Sequence, residues 1–175
     1  MPDEALKLCS PALTWMPDFM AMSAEFVAVG EPSPLPADFA TANAAGYLRY
    51  LDDMARGVGL PSGYAPQSIW WLVRDGSTVV GYSRLRSHLT PALEDVGGHI
   101  GYSIRPAERR KGYGTRILAL TLEPARALGL SRVLVTCNTD NIGSARIIEK
   151  NGGVLTSTGF SPQTHTHVSR YWIAL

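Results

Sequence analysis

A short segment rich in basic residues and glycine could bind an anion. Arg109, Arg110 and Lys111 are consecutive, and Gly112 and Gly114 follow them directly. Glycine lets the backbone turn tightly with its N–H groups facing outward, and a helix that begins there adds its unpaired first-turn donors and the positive end of its dipole. The spacing therefore predicts a pyrophosphate-binding turn at the start of a helix.

Two common phosphate-binding motifs do not fit this turn. The Walker loop ends in Gly-Lys followed by Ser or Thr, whereas Gly114 is followed by Thr115-Arg116. The dinucleotide fingerprint needs a third glycine or alanine where Ile117 stands, and an acidic residue after the next strand, where the sequence has Cys137-Asn138. A basic turn that simply faces solvent is the remaining alternative at this point.

The first third of the chain combines a strand, two amphipathic helices and a proline-rich loop. A strand is predicted over 5–9, and apolar side chains at helical spacing over 16–27 predict a helix. Three prolines between 30 and 36 exclude a helix there, because each removes a backbone donor and restricts the preceding residue. A second apolar stripe, from Phe39 to Met54, predicts a second helix.

From residue 67 the pattern changes to the period of two that is typical of strands. Strands are predicted over 68–74 and 78–85, joined by the hairpin signal Asp75-Gly76, and over 99–104, after a loop that carries Pro91, Glu94 and Asp95. Apolar residues on one face of 114–128 predict a helix that follows the glycine turn. The last elements predicted are a strand over 132–137, a short helix capped at Asp140-Asn141, and strands near 154–158 and 168–174.

Composition excludes several classes of protein. The 175 residues are 45% hydrophobic and 18% charged, which indicates one ordinary globular domain over 1–175. Sixteen Lys and Arg against fifteen Asp and Glu give none of the basic excess of a nucleic-acid-binding protein, and no segment is apolar for long enough to cross a membrane. Cys9 and Cys137 are expected to be reduced thiols of a cytoplasmic protein, and His165 and His167 have no third ligand in view, so no metal is predicted.

Two motifs resemble those of one enzyme family. Arg109-x-x-Gly112-x-Gly114 resembles the Gln/Arg-x-x-Gly-x-Gly/Ala signature of the GNAT superfamily of acyl-CoA-dependent N-acyltransferases. The segment 141–153 resembles the second motif of that family, Asn-x-x-Ala/Ser with a Glu-Lys-x-Gly ending. Residues 97–102 and 170–173 also resemble segments of bacterial predicted acetyltransferases in that superfamily. The resemblance covers essentially the whole chain and implies an α+β (α/β/α) fold, in which a mixed, mostly antiparallel sheet of about seven strands carries helices on both faces.

The resemblance also implies which residues bind acetyl-CoA. In the family, the strand that enters the signature loop separates from its neighbour, and its free backbone groups pair with the pantetheine arm. On this basis, the pantetheine arm is assigned to Tyr102, Ser103 and Ile104. The pyrophosphate is assigned to the turn formed by Arg109, Arg110, Lys111, Gly112, Tyr113, Gly114 and Thr115. The pantetheine or adenosine end is assigned to Asn141 and Ser144.

The chemistry implied by the resemblance is direct attack of a neutral amine on the thioester carbonyl, which needs no nucleophilic side chain. His99 is the first candidate for a general base, since an imidazole has an unperturbed pKa of about 6.5; Glu94 and Asp95 are its rivals. A histidine that only satisfies the sheet is the alternative for His99.

The general acid is less easily assigned, because many family members carry a tyrosine where this chain has Ile148. Tyr102 and Tyr113 are the candidates to replace it.

Three functions compete. The first is an N-acetyltransferase that acts on a primary amine of a small molecule or peptide. The second is a non-catalytic acyl-CoA-binding sensor or interaction module, and the third is a nucleotide-binding regulator, which the two failed phosphate motifs disfavour. A homodimer through the exposed closing strands is a further expectation.

Overall fold

The first of two sheets contains four antiparallel strands. The computed structural model describes residues 5–35 and 43–175. Phe39, which the sequence assigned to the second helix, and Pro36, which it assigned to the preceding loop, lie outside those residues. The strands are β1 (Leu6–Cys9), β2 (Gln67–Arg74), β3 (Thr78–Arg86) and β4 (Ile100–Ile104), in the spatial order β1-β2-β3-β4. Positive φ angles at Asp75 and Gly76, 50° and 72°, build the predicted hairpin turn between β2 and β3.

The second sheet contains three strands, which complete the predicted number of seven. Strands β5 (Arg132–Asn138), β6 (Val154–Ser161) and β7 (Thr166–Ala174) lie in the order β5-β7-β6, again with antiparallel pairing. The predicted α+β fold with about seven mostly antiparallel strands is confirmed; among the described residues the strands form two hydrogen-bonded sheets, and every paired neighbour is antiparallel.

Helices cover both faces, as the sequence predicted. Helix α1 (Met16–Ala28) and helix α2 (Ala44–Arg56) pack on one face of the first sheet, where Phe19 stacks on Trp71 with ring centroids 4.1 Å apart. Helix α4 (Tyr113–Ala127) packs on the other face and buries Ile117 against Leu72 and Val80. Helix α5 (Ile142–Lys150) lies beside α4 and the second sheet.

One element was missed by the sequence analysis. The loop predicted around Pro91, Glu94 and Asp95 contains a short helix, α3 (Pro91–Asp95). Thr90 caps it by accepting a hydrogen bond from the N–H of Leu93, and proline suits the first helical position because its missing N–H would have no partner there. Five residues give no helical period, so only the cap signal could have indicated this helix.

Candidate active site

The two sheets meet at one residue and then separate. The backbone N–H of His99 donates to the Leu134 carbonyl oxygen at 2.8 Å, and the Leu134 N–H donates to Nδ1 of the His99 ring at 2.9 Å. Gly98, just before this contact, has a φ of +59°, and a Cβ there would overlap the Leu134 carbonyl. From Ile100 onward β4 has a strand partner on one side only, β3, among the described residues. The edge of β4 that faces β5 therefore offers unpaired backbone groups.

A cavity of about 780 Å³ lies beside this free edge. It is bounded by β4, by the turn that leads into α4 and by one face of α5. All of the residues that the sequence assigned to acetyl-CoA binding line it except Lys111, and six further residues join them: Glu31, Glu108, Gly143, Arg146, Ile147 and Lys150. The structure thus brings together residues from two motifs that lie about thirty positions apart in the sequence.

The floor of the cavity at the α4 end is a helix start without a side-chain cap. Gly112 occupies the N-cap position with a φ of +87° and supplies no side-chain cap, and among the described residues no side chain is seen to accept from the first-turn N–H groups of α4. A Cβ at Gly112 would meet nothing within 4 Å, so the approach to these donors is open. Uncapped N–H groups and the helix dipole favour an anion at this position.

Basic side chains surround the α4 end of the cavity, but two of the three that the sequence predicted there already form ion pairs with carboxylates. Arg109 forms a bidentate ion pair with Glu31 at 2.6 Å, and hydrogen bonding to Arg109 lowers the pKa of Glu31. Lys111, which does not line the cavity, pairs with Glu108 at 2.8 Å. Arg110 has no carboxylate partner among the described residues.

Two cations that the sequence analysis missed stand across the cavity on α5. Arg146 and Lys150 line it, and neither has an ion-pair partner in the described ranges 5–35 and 43–175. Their spacing of four residues places them on one helix face. With Arg110 they leave a positive potential over the mouth, which suits a polyanionic ligand.

Tyr102 and Ser144 form a hydroxyl pair inside the cavity. The two oxygens are 2.9 Å apart, and either can donate to the other. Asn141 caps α5 by accepting from the N–H of Ser144, which fixes the position of the serine. Burial raises the pKa of Tyr102 to about 12, so this phenol stays protonated near neutral pH. Ile148, by contrast, is fully buried in the core below α4.

Tyr113, the second candidate for the general acid, is held at the edge of the cavity by another interaction. Its hydroxyl accepts a hydrogen bond from the Arg74 guanidinium at 3.0 Å, and Arg74 also pairs with Glu108 at 2.9 Å. Tyr102 is therefore the better placed of the two tyrosines to donate a proton beside β4.

The geometry argues against His99 as a general base. The ring is 6% exposed and does not line the cavity. Since Nδ1 accepts from Leu134, the neutral ring carries its proton on Nε2 and has no free lone pair for an amine proton. Burial, and then the charges of Arg86 and His88, lower the pKa of His99 below its usual value. Instead, Nδ1 of the imidazole accepts from the Leu134 N–H, as a backbone carbonyl would in a continuous sheet, at the point where the two sheets separate.

The carboxylates that were its rivals also lie outside the cavity. Asp95 accepts hydrogen bonds from Ser161, Gln163 and Arg170, and these bonds fix α3 to the second sheet. Glu94 is exposed, and its backbone carbonyl accepts from the Arg170 side chain. Neither carboxylate faces the free edge of β4.

Replacing His99 should therefore affect stability. We expect His99→Ala to lower the free energy of unfolding by about 2 kcal/mol, because the buried Leu134 N–H loses its acceptor. His99→Asn keeps an acceptor near the position of Nδ1 and should cost less. Denaturant titrations of both variants measure the difference; equal losses would show that the hydrogen bond is unimportant.

The same bond gives the protein a defined dependence on pH. The folded state favours neutral His99, so the unfolded state binds the proton more readily and stability falls with acidity. The contribution of His99 should be complete above pH 6.5, the ordinary histidine value, and should be lost as the pH falls through the lowered folded pKa. Melting temperatures measured from pH 8 to pH 5 should fall less steeply for His99→Asn than for the wild type.

The fold and the cavity together define a class of protein. Seven strands that open between two neighbours, beside a glycine turn that starts a helix, form the architecture that the sequence motifs implied for an acyl-CoA-dependent transferase. The family model for the acetyltransferase (GNAT) domain matches residues 11–154. The chain belongs to the GNAT acetyltransferase family. None of the curated proteins compared matches the sequence significantly.

Solved structures of several acetyltransferases share this fold. RimL, the ribosomal L7/L12 alpha-N-protein acetyltransferase in complex with coenzyme A, has a TM-score of 0.70 and 14% identity over 97% of this chain and 94% of that chain. MccE, the microcin C7 self-immunity acetyltransferase in complex with acetyl-CoA and AMP, has a TM-score of 0.68 and 14% identity over 99% and 93%. The putative acetyltransferase yncA from Salmonella typhimurium, with its cofactor acetyl-CoA, has a TM-score of 0.62 and 16% identity over 98% and 94%.

The described parts of the chain contain neither a metal-binding cluster nor a membrane-spanning helix. In residues 5–35 and 43–175, no three His, Cys, Asp or Glu side chains come together in a way that could hold a metal ion. Within the same residues, no helix has the length and apolar character needed to traverse a bilayer.

Proposed function

We propose that this protein is an N-acetyltransferase that moves an acetyl group from acetyl-CoA to a primary amine of a small molecule or peptide. The observation that carries the proposal is the 780 Å³ cavity in which an unpaired strand edge and an uncapped helix start face the same space. A linear thioester carrier with a diphosphate has the groups that these two features bind.

The described residues fit acetyl-CoA in three ways. The diphosphate would accept from the first-turn N–H groups of α4 and lie near Arg110, Arg146 and Lys150. The amide groups of the pantetheine arm would pair with the free edge of β4 as an added strand does. The thioester would then reach the region of Tyr102 and Ser144, whose hydroxyl groups lie between β4 and α5.

The reaction needs correct placement more than reactive side chains. The amine nitrogen attacks the thioester carbonyl, a C–N bond forms, the C–S bond breaks, and the nitrogen loses a proton to water. Backbone N–H groups at the free edge of β4 stabilise the negative oxygen of the intermediate. The Tyr102–Ser144 hydroxyl pair donates a proton to the departing thiolate and regains one from the water that took the amine proton.

A second, smaller cavity supplies a place for the amine. It has a volume of about 160 Å³ and lies between α1, α2 and strands β2 and β3. Tyr82, in its wall, pairs in register with Ser103 of β4, and Ser103 lines the larger cavity. The two cavities therefore approach each other across β4, which is the arrangement that a ternary complex requires.

A non-catalytic acyl-CoA sensor is the second candidate function. Two observations favour it: Ile148 supplies no hydroxyl at the position where many relatives have tyrosine, and His99, directly before β4, has no free lone pair. A sensor would bind acetyl-CoA tightly without consuming it.

The proposal extends to assembly and compartment. Strand β6 forms an outer edge of the second sheet and exposes Val154, Leu155 and Phe160, so a second copy of the chain could pair there. Cys9 and Cys137 are free thiols, which supports the cytoplasm as the compartment. The near-neutral charge argues against nucleic acid as a partner.

Calorimetry and a thiol-release assay test the function together. We expect the purified protein to bind acetyl-CoA and to release free CoA when a panel of amines is added. ATP and NAD serve as the matched control ligands for a nucleotide regulator and should bind far more weakly. Binding without thiol release over the whole panel would favour the sensor, and a folded sample that binds no acetyl-CoA would reject both candidates.

A further inference from the structure

The smaller cavity contains one charged side chain, Arg84, among the described residues. Its other lining residues are aromatic, apolar or neutral polar: Phe19, Ser33, Pro34, Tyr47, Tyr50, Leu51, Met54, Gln67, Ile69 and Tyr82. The Arg84 guanidinium donates to the Tyr82 hydroxyl at 3.2 Å and lies 5.5 Å from the centre of the same ring. These contacts orient the guanidinium without neutralising its charge.

Arg84 differs from three other partly buried arginines of the fold. Arg74, Arg105 and Arg170 each form an ion pair with a carboxylate at 3.0 Å or less. Arg84 is half-buried and has no carboxylate within ion-pair distance in residues 5–35 and 43–175. A half-buried cation loses part of its hydration, and none of the described carboxylates compensates Arg84 for that loss, so the site favours binding of an added anion.

A second arginine strengthens this preference. Arg86 lies two positions along β3 and so projects from the same face of the sheet. It donates to the backbone carbonyls of Gly97 and Gly98 and also has no carboxylate partner in the described parts of the chain. Burial, and then the charge of Arg84, lower the pKa of Arg86 to about 10.

Strand register places Arg84 beside the reacting end of the larger cavity. Arg84 pairs with Gly101 of β4, and paired residues of antiparallel strands share a face. A Cβ at Gly101 would meet nothing within 4 Å, so the space over this glycine is open. A small molecule held by Arg84 therefore lies on β3, the strand next to β4, and the far edge of β4 receives the thioester in the proposed function.

The rest of the cavity sets the shape and polarity of that molecule. Tyr47, Tyr50 and Tyr82 give it aromatic walls, and its volume of about 160 Å³ is below the usual range of ligand pockets. An acceptor with a second amine would bring a like charge toward Arg84. A compact amine that carries a carboxylate matches the charge, the volume and the apolar walls.

We propose that the acceptor is a small amine bearing a carboxylate, an amino acid in the broad sense, and that the Arg84 guanidinium binds that carboxylate in the cavity between α1, α2 and β3. The planar fork of the guanidinium fits two carboxylate oxygens at once. This inference rests on the proposed function, since it assigns the acceptor of the same reaction.

Matched pairs of amines test the inference. Phenylalanine and phenethylamine, and tyrosine and tyramine, differ only in the carboxylate; glycine and β-alanine extend the panel to smaller acids. We expect kcat/KM for the carboxylated member of at least one pair to exceed that of the other member by about 10- to 100-fold, the effect of one hydrogen-bonded charge. Arg84→Gln should abolish the preference, and Arg84→Lys should retain part of it.

Arg49→Gln is the control, because Arg49 is exposed on α2, does not line the cavity and undergoes the same change of charge. Equal rates for both members of every pair, or a preference that survives in Arg84→Gln, would overturn the inference while leaving the acetyltransferase intact.

Equilibrium binding separates failure of the inference from failure of the function. The same panel is titrated into the CoA-loaded protein by calorimetry, where no turnover is needed. Binding of the amino acids that is weakened by Arg84→Gln, without thiol release from acetyl-CoA, would retain the anion site and reject the transferase. Thiol release only with amines that lack a carboxylate would retain the transferase and reject the anion site.

Discussion

Replacing Gly112 with glutamate should raise the dissociation constant for acetyl-CoA by about 100-fold. The new carboxylate would stand at the uncapped start of α4, where the proposed diphosphate binds, with no neighbouring atom to hold it away. Two negative charges about 5 Å apart at an effective dielectric constant of about 20 repel by about 3 kcal/mol, which corresponds to roughly 100-fold in affinity. Calorimetric titration with acetyl-CoA measures the change.

The same helix supplies a matched control. Gly129, just past the other end of α4, also has a positive φ, +78°, and also has open space where a Cβ would be. Gly129→Glu therefore adds the same charge with similar backbone strain, at a place outside the cavity. The helix dipole disfavours a carboxylate at that end and favours one at Gly112, so the control should be the less stable of the two variants.

The comparison isolates binding from folding. We expect Gly129→Glu to bind acetyl-CoA as the wild type does. Equal affinities for the two variants would mean that the diphosphate does not bind at the start of α4, and the assignment of the signature turn would be withdrawn.

Removing the hydroxyl groups between β4 and α5 should slow turnover with little loss of acetyl-CoA affinity. We expect Tyr102→Phe combined with Ser144→Ala to lower kcat by about 100-fold. This is near the lower limit for loss of a general acid, because a thiolate with a thiol pKa of about 8.5 is a tolerable leaving group. Single-turnover measurements of thiol release test this expectation, and Tyr64→Phe, which alters a 70% exposed tyrosine away from both cavities, is the control.

The pH profile provides a second readout of the same pair. A general acid must be protonated, and burial raises the pKa of Tyr102 to about 12. Tyr102 should therefore cause no fall in kcat between pH 7 and pH 10. An acceptor amine that must be neutral would instead make the rate rise over this range. Wild-type kcat in the double variant would transfer the acid role to water.

The glycine turn and the capped helix α5 could be predicted from the sequence because each depends on a local rule. Gly112 supplies a positive φ that side chains disfavour, and Asn141 supplies an oxygen three residues before the N–H that it accepts from. Motifs of this kind fix their own geometry. The order of the strands and helices could be predicted for the same reason, since the apolar residues of a strand and of a helix recur with different periods along the sequence.

The contacts that the sequence could not predict join distant parts of the chain. Arg109 is paired with Glu31, which lies 78 positions earlier, so a residue counted among the cations of the turn is neutralised. His99 bonds to Leu134, 35 positions later, and this bond removes the lone pair that a base would need. No local pattern encodes either partner. The positive character of the cavity was predicted, but Arg146 and Lys150 were not among the residues assigned to it, although both lie in the segment 141–153 that resembles the second motif.

The parting of the sheets at His99 and Leu134 divides the strands into an early group and a late group. Strands β1 to β4 come from residues 6–104 and strands β5 to β7 from residues 132–174, and the strand ladders run within each group. A ligand bound between β4 and β5 would bridge the two groups of strands. It would connect two groups of strands that no strand ladder joins among the described residues. Saturation with acetyl-CoA should therefore raise the melting temperature of the whole domain, and not only order the turn that binds the diphosphate.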